Sequence, residues 1–187
     1  RGVMLDCGRH YFPVKFIKEF IDLLAMHNMN RFHWHLTEDQ GWRLEIKKYP
    51  LLTAIGSKRA ETVIGHNTQI GDGTPYEGYY TQRQRHIVVV PEIDMPGHQL
   101  AALAAMPNLG CTGGPYKVGT VWGVYDDILC LGNEDTYKFC EDVLSELIDI
   151  FPSEVIHIGG DEAPTVRVEH CPKCQALMQR EHLTPKN

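Results

Sequence analysis

The stretch His157-Ile158-Gly159-Gly160-Asp161-Glu162 joins an apolar strand pattern to two glycines and two adjacent carboxylates. Successive side chains of a strand alternate between its faces, so neighbouring carboxylates at a strand end do not normally face one point. The glycines permit a bend that brings both carboxylates into a cleft. Paired carboxylates suit acid–base chemistry such as glycoside hydrolysis, because their proximity separates their pKa values. Taken alone, the stretch also fits a solvated acidic turn that caps the following helix.

Three earlier segments share this order of a strand pattern followed by polar residues. Strands are predicted at Val3–Leu5, Arg31–Leu36 and His86–Ile93, and the quoted stretch ends a fourth at Glu154–Ile158. The polar residues that follow the four strands are Asp6 and Arg9, Glu38 and Asp39, Asp94 and His98, and Asp161 and Glu162. In a barrel of parallel strands these positions share one face, where active sites are built.

Helical patterns separate the predicted strands. One helix starts at Pro13, a second spans Gly97–Ala105, a third follows the N-cap Asn133 and ends at Phe151, and a last one spans Val168–His182. Strands alternating with helices predict an α/β fold of parallel βα units. Four units correspond to half of a (β/α)8 TIM-type barrel, so residues 1–187 are predicted to be one partial barrel domain. The apolar faces of the first and third helices are predicted at Phe16, Ile17, Phe20, Ile21 and Leu24, and at Phe139, Val143, Leu144, Leu147, Ile148 and Phe151.

Composition excludes several classes of partner. The 187 residues are 43% hydrophobic and 22% charged, with a net charge of −6, which is typical of a globular protein. No basic cluster is dense enough to follow a phosphate backbone, so nucleic acid is not expected as a partner. No apolar run approaches the length of a membrane span, and no signal peptide pattern is present.

The six cysteines are too sparse for a disulfide scaffold. Cys111 and Cys130 flank a Gly-rich loop that a bridge between them would close, whereas Cys140 is expected in the core. The pair Cys171 and Cys174 fits half of a zinc site or a strained bridge. Because no second pair follows them at zinc-site spacing, no metal is predicted.

Single residues near the strand ends leave alternatives open. Arg9 suits paired hydrogen bonds to vicinal sugar hydroxyls, or an ion pair with Asp6. His33 and His35 share a strand face and are expected to be hydrogen-bonded rather than metal ligands. In Pro91–His98, two prolines and a glycine fix the backbone where His98 is placed to tune a catalytic carboxyl. For Trp34, Trp42 and Trp122, core packing is favoured over stacking on a sugar.

Four ordered motifs together resemble the catalytic domain of family 20 glycoside hydrolases, the β-N-acetylhexosaminidases. They are RGVMLDCGRH at 1–10, HWHLTEDQGW at 33–42, PEIDMPGH at 91–98 and HIGGDE at 157–162. The resemblance covers nearly the whole chain. It implies cleavage of terminal, non-reducing N-acetyl-β-hexosamine residues, with N-acetylglucosamine- or N-acetylgalactosamine-containing glycans as partners and no cofactor. It also implies a secreted, periplasmic or cell-surface location.

The resemblance further implies residue roles in substrate-assisted retaining hydrolysis. Glu162 matches the general acid and base, and Asp161 matches the residue that orients the substrate's acetamido group. Arg9 matches the arginine that binds the terminal sugar, and His98 matches the histidine that contacts the acid. In many family members the partner of that histidine is an aspartate at the position of Glu38. Because Glu38 is one methylene longer, Asp39 remains a second candidate for the partner of His98.

Two departures from the family pattern carry expectations of their own. The tryptophans and tyrosine that complete the family's pocket lie beyond Asn187, so this chain alone is expected to catalyse poorly. Between Gln82 and His86, where a crossover helix is expected, only Arg83-Gln84-Arg85 is present. Either the Gly-rich loop makes the crossover or a segment near 82–86 is missing.

Two other functions compete with hydrolysis. The first is a catalytically incomplete carbohydrate-binding or interaction fragment that retains the motifs. The second is a metalloprotein built on His33, His35 and the Cys171/Cys174 pair, which metal analysis of the purified chain would test.

Overall fold

The computed structural model describes residues 1–65, 70–81 and 89–184. Among them lie two short 3₁₀ helices, at Pro107–Leu109 and Val168–His170. In chain order the other elements are β1 (Gly2–Asp6), α1 (Val14–Met26), β2 (Arg31–His35), β3 (Thr37–Glu38), β4 (Gly41–Trp42), α2 (Leu51–Ala54), β5 (Lys58–Arg59), β6 (Tyr76–Glu77), β7 (Val90–Glu92), α3 (Leu100–Ala105), α4 (Glu134–Ile150) and α5 (Pro172–Glu181).

A parallel sheet in the order β1-β2-β7 forms the centre of the fold. The register pairs Asp6 with His35, and His35 in turn with Glu92. Each pairing places the carboxyl end of one strand beside that of the next, so the polar residues that follow the strands meet at one edge. This arrangement confirms the predicted α/β class.

The predicted fourth strand, Glu154–Ile158, is reduced to a single parallel bridge between His157 and Glu92. The His157 N–H donates to the Pro91 carbonyl at 3.0 Å, and the Ile93 N–H donates to the His157 carbonyl at 3.2 Å. Val155 and Ile158 are 57% and 51% exposed, so little apolar burial supports a longer ladder there. The segment therefore lies beside β7, but the count of four complete βα units stays a prediction.

The helices follow the predicted apolar periodicity with two errors, at Phe16 of α1, which is 39% exposed, and at Ile148 of α4. Asn133 caps α4 as predicted, with its side chain accepting the Asp135 N–H. Phe139, Val143 and Leu147 of α4 are buried, but Ile148 is 63% exposed. Ile148 was wrongly assigned to the buried face because it lies about 100° around the helix from Leu147. The bounds of α3 and α5 are also narrower than predicted: α3 begins at Leu100, and a 3₁₀ helix and a break precede α5.

The long connection between β2 and β7 folds against the strand ends. Its antiparallel pairs, β3 with β4 and β5 with β6, surround the buried guanidinium of Arg43, which is 0% exposed. That group donates to the backbone carbonyls of Cys7, Gly8, Gln40, Ser57 and Gly78. The predicted gap near 82–86 and the start of the predicted strand at His86 lie outside the described residues.

The main core lies beneath the sheet and includes Trp34 and Trp42, which confirms the expected packing role of both. Cys140 packs against this core as predicted. Trp122 lies elsewhere, with its ring 4.5 Å from the guanidinium carbon of Arg9. Among the described residues, no helix is long and apolar enough to cross a membrane.

A second, smaller core corrects the expectations for four cysteines. Cys111 and Cys130 are not joined by a bridge; each instead lies beside the Cys171/Cys174 pair. No cysteine follows Cys174, as the sequence showed, but Cys111 and Cys130 supply two further sulfur atoms from earlier in the chain. Only folding brings them close to Cys171 and Cys174.

Candidate active site

The polar residues after the strands are brought together by direct contacts. A continuous path of ion pairs and hydrogen bonds runs from Asp6 through Arg9, Glu38 and His98 to Glu162. These residues come from the end of β1, from β3 directly after β2, from the loop after β7 and from the turn after His157. The predicted clustering at one edge of the sheet is therefore observed.

Arg9 makes the ion pair with Asp6 and also reaches a second carboxylate. Its guanidinium lies 2.7 Å from Asp6 Oδ2 and 2.6 Å from Glu38 Oε1, and it stacks over the ring of Trp122. The side chain remains 23% exposed. Arg9, Gln40 and Trp122 line a cavity of about 270 Å³, which offers a charged donor and an aromatic face to a small polar ligand.

The carboxyl groups of Glu38, Asp39 and Glu162 surround His98. Its Nδ1 lies 3.0 Å from both Glu38 Oε2 and Asp39 Oδ2, and its Nε2 lies 3.2 Å from Glu162 Oε2. Hydrogen bonds to Asp39 and Glu38 raise the pKa of His98 to about 11. The imidazole is therefore protonated at neutral pH, and both of its nitrogens donate.

The sequence left Glu38 and Asp39 as alternative partners of His98, and the fold uses both. Burial opposes the charge of Glu38, but hydrogen bonds with His35 and His98 and the charge of Arg9 lower its pKa to about 2. Asp39 also accepts the Leu100 N–H at 3.0 Å, which ties it to the first turn of α3. Asp39 is thus an anchored partner, whereas Glu38 links His98 to Arg9.

The turn that carries Asp161 and Glu162 depends on its glycines. Gly159 and Gly160 have φ values of +64° and +99°, and Glu162 itself has a φ of +50°. A Cβ atom on Gly159 would lie 1.8 Å from Asp94 Oδ1, so only glycine allows this approach. The Asp161 and Glu162 side chains are exposed, and of the two, Glu162 is the one recorded in contact with His98.

Two further carboxylates lie beside this turn: Asp94, which was predicted at the strand ends without an individual role, and Glu92, which was not predicted as a site residue. Asp94 accepts the Gly160 N–H at 3.3 Å, and burial raises the pKa of Asp94 to about 6. Glu92 contacts His33, His35 at 2.6 Å and His157 at 2.8 Å. A period-two pattern placed the two strand histidines on one face, but the pairing register was needed to add Glu92.

The histidine cluster also corrects the metalloprotein hypothesis. His33 and His35 are hydrogen-bonded to Glu92, as expected, and the three residues also bring ligand atoms within 4.8 Å of one another. Cys171 and Cys174 lie in the separate small core with Cys130. Among the described residues, no group of adjacent metal-ligand atoms contains both these histidines and these cysteines. The hypothesis of one metal site built on both is therefore wrong.

Replacing His98 by Gln is expected to destabilise the protein in a pH-dependent way. Because the folded pKa is raised from 6.5 to about 11, the stabilisation by His98 is complete below pH 6.5 and is lost as pH approaches 11. The partner Glu38 adds a lower limit, since its stabilisation is present above 4.5 and is lost toward about 2. Urea unfolding should show that the free energy of unfolding of His98→Gln is about 3–5 kcal/mol lower than that of the wild type near pH 6, and that this difference is smaller at pH 10.

The matched control for that experiment is His27→Gln, at an exposed position of the chain. This variant should stay within about 0.5 kcal/mol of the wild type. A deficit for His98→Gln that is the same at pH 6 and pH 10 would contradict the charged hydrogen-bond assignment.

Comparison with known proteins identifies the family to which the chain belongs. The model of glycosyl hydrolase family 20, catalytic domain, matches residues 1–186. A beta-hexosaminidase of Porphyromonas gingivalis is 49% identical over 189 residues, which cover 96% of this chain and 23% of that protein. The chain thus spans about a quarter of the length of that relative.

Solved structures give the same result at the level of the fold. The crystal structure of a beta-N-acetylhexosaminidase matches with a TM-score of 0.90 at 41% identity, covering 98% of this chain and 40% of that one. An exo beta-N-acetylglucosaminidase from Vibrio harveyi, in complex with N-acetylglucosamine, matches with a TM-score of 0.80 at 37% identity, covering 98% and 30%. Because the family model matches residues 1–186 of this 187-residue chain, the chain belongs to glycosyl hydrolase family 20.

Proposed function

We propose that the full-length protein removes terminal, non-reducing N-acetyl-β-hexosamine residues from glycans by substrate-assisted, retaining hydrolysis. The observation that carries the proposal is the contact path in which Glu38 and Asp39 hold a protonated His98 against Glu162. Family 20 enzymes are an exception to the two-carboxylate scheme, because the substrate's acetamido group replaces the enzyme nucleophile. One proton-transferring carboxyl and one orienting carboxylate are then sufficient.

Glu162 has the proton-transfer role in this proposal. It protonates the glycosidic oxygen as the bond breaks, and later accepts a proton from the attacking water. His98 remains charged throughout, because its pKa of about 11 is far above neutral pH. It therefore donates a hydrogen bond to Glu162, stabilises the carboxylate formed after the first step and does not itself transfer the proton.

Asp161 has the orienting role. The acetamido oxygen attacks the anomeric carbon of its own sugar, and positive charge develops on the acetamido nitrogen as the oxazoline-type intermediate forms. A carboxylate that accepts the N–H fixes the nucleophile and stabilises that charge. The bend at Gly159 and Gly160, held by the hydrogen bond from the Gly160 N–H to Asp94, supports this role because Asp161 directly follows it at the strand end.

Arg9 is proposed to bind the hydroxyls of the terminal sugar. Asp6 and Glu38 hold its guanidinium on two sides, while the remaining exposed part faces the cavity that Trp122 lines. Planar, fixed donors suit vicinal hydroxyls, and a flexible ammonium group does not reproduce this geometry.

Replacing Arg9 by Lys should therefore raise KM and lower kcat/KM of the full-length protein by about 10- to 100-fold. That range corresponds to the loss of one charge-assisted hydrogen bond, about 1.5–3 kcal/mol. Steady-state kinetics with an aryl N-acetyl-β-glucosaminide measure the effect, with Arg31→Lys at an exposed position as control. Unchanged kinetics for Arg9→Lys would remove Arg9 from the sugar site.

We also propose a fold and a cellular location for the full-length protein. The parallel β1-β2-β7 sheet with His157 beside β7 supports a (β/α)8 barrel of which this chain forms roughly the first four units. A location outside the cytoplasm, where polymeric glycans are accessible, remains part of the proposal.

The deciding assay compares two aryl glycosides that differ only at the 2-position. The full-length protein should hydrolyse the N-acetyl-β-glucosaminide and release the β-anomer first, while the β-glucoside, which lacks the acetamido nucleophile, should be turned over at least about 10³-fold more slowly. Comparable turnover of both substrates would refute substrate assistance. Sugar binding without turnover by the full-length protein would favour the non-catalytic alternative.

A further inference from the structure

Four cysteines from three separate segments converge at one point in the smaller core. Cys130 Sγ lies 3.6 Å from Cys171 Sγ and 3.7 Å from Cys174 Sγ, and Cys111 Sγ lies 3.8 Å from Cys174 Sγ. All four sulfur atoms lie within 4.8 Å of one another, and all four cysteines are free. We refer to Cys111, Cys130, Cys171 and Cys174 as the cysteine cluster.

The spacing of the cysteine cluster matches a metal tetrahedron. Zinc–thiolate bonds of about 2.3 Å place the sulfur atoms of a tetrahedral site about 3.8 Å apart. Three of the sulfur–sulfur separations, 3.6–3.8 Å, agree with that edge. A disulfide requires about 2.05 Å and joins sulfur atoms only in pairs, whereas Cys130 and Cys174 each approach two others.

The backbone around the cysteine cluster is shaped to hold thiolates. Cys171 is the N-cap residue of α5, Pro172 is its first residue and Cys174 lies in its first turn, so the helix N-terminus favours negative charge there. The Gly132 N–H donates toward the thiols of Cys130 and Cys174. A Cβ atom on Gly132 would lie 2.1 Å from the Lys173 carbonyl carbon, so this close approach requires glycine.

Burial makes this a closed, structural type of site. Cys130, Cys171 and Cys174 are 1%, 4% and 1% exposed, and apolar side chains of Ile128 and Val168 surround them. Four sulfur ligands leave no coordination position for water or substrate, which is the arrangement of structural and not catalytic zinc. None of the four cysteines is among the residues that contact His98 or Arg9 in the described structure.

We propose that the cysteine cluster binds one Zn²⁺ ion that clamps two segments of the active site together. The first segment, 111–130, carries Trp122, which stacks on Arg9. The second, 163–174, directly follows Glu162 in the chain. The ion pair of Arg167 with Asp127 at 2.8 Å joins the same two segments. Zinc binding would thus hold Trp122, which stacks on Arg9, at a fixed distance from Glu162, whose proton-transfer role rests on the proposed function.

The test measures zinc in the full-length protein, purified under reducing conditions without chelator. Inductively coupled plasma mass spectrometry should show one equivalent of zinc more in the wild type than in the Cys171→Ser/Cys174→Ser double variant. Cys140→Ser, which lies outside the cysteine cluster, serves as the matched control and should keep wild-type zinc content. The proposal would be overturned by equal zinc content in the wild type and the double variant, or by iron in place of zinc. It would also be overturned if thiol titration of protein purified without reductant showed that the four cysteines form two disulfides.

A second measurement decides the question if the double variant does not fold. Wild-type protein stripped of metal and reconstituted with Co²⁺ should show the thiolate-to-cobalt charge-transfer band and the intense visible bands of tetrahedral cobalt. Added Zn²⁺ should abolish both, because a tetrathiolate site binds zinc more tightly than cobalt. A cobalt spectrum that lacks the charge-transfer band would refute thiolate coordination.

Discussion

Replacing Glu162 by Gln in the full-length protein is expected to lower kcat by about 10²- to 10⁴-fold. The amide occupies the same volume and still accepts the hydrogen bond from His98, but it carries no proton to donate to the leaving oxygen. Protein folding should be unaffected, since the Glu162 side chain is 58% exposed. The control variant Glu154→Gln, also at an exposed position, should retain full activity.

The leaving group makes the test of Glu162 specific for proton donation. An alkyl glycoside needs protonation for departure of its alkoxide, whereas a nitrophenyl group leaves as a stable anion. Glu162→Gln should therefore lose far more activity on the alkyl N-acetyl-β-glucosaminide than on the nitrophenyl one. Equal losses on both substrates would contradict the general-acid role.

Replacing Asp161 by Asn should lower kcat by about 10²- to 10³-fold, the cost of removing one preorganised electrostatic group. The asparagine retains a hydrogen-bonding oxygen but has lost the charge that stabilises the oxazoline-type intermediate. The loss should be similar for alkyl and nitrophenyl substrates, because the acetamido oxygen displaces either leaving group in the same way, and the same positive charge develops on the acetamido nitrogen as the glycosidic bond breaks. This pattern separates Asp161 from Glu162 within one set of measurements.

The control for Asp161 is Asp22→Asn, an exposed position on α1. It should change neither kcat nor the melting temperature. Near-normal turnover by both Asp161→Asn and Glu162→Gln would remove the two carboxylates from the reaction and with them the proposed mechanism.

Periodicity and strand ends predicted the fold where interactions are local or repeat regularly. The helix α4 was predicted with its N-cap, because an asparagine before an amphipathic run satisfies the first N–H groups. The segment Glu154–Ile158 was predicted as a strand from apolar composition, but ladder formation depends on partners that composition does not reveal. The result there is one bridge at His157.

In the candidate site, too, some residues were predicted from the sequence and others were recognised only from the structure. Arg9, Glu38, Asp39, His98 and Glu162 were all selected from the sequence, because parallel strands bring their carboxyl ends to one edge. That Glu38 and Asp39 share His98 was not predictable, since a difference of one methylene in reach is resolved only by the backbone position. Glu92 was missed because its histidine partners are defined by strand register.

The sequence by itself determined the order of the four strand-end motifs and hence which residues meet, because a parallel βα arrangement leaves them no other edge. The bend at Gly159–Glu162 was also predicted, since glycines permit a turn that other residues resist. Tertiary structure alone decided the cysteine cluster. Cys111 and Cys174 are 63 residues apart, and only the packing of α5 against the loop before α4, made possible at Gly132, brings four sulfur atoms to metal-binding distance.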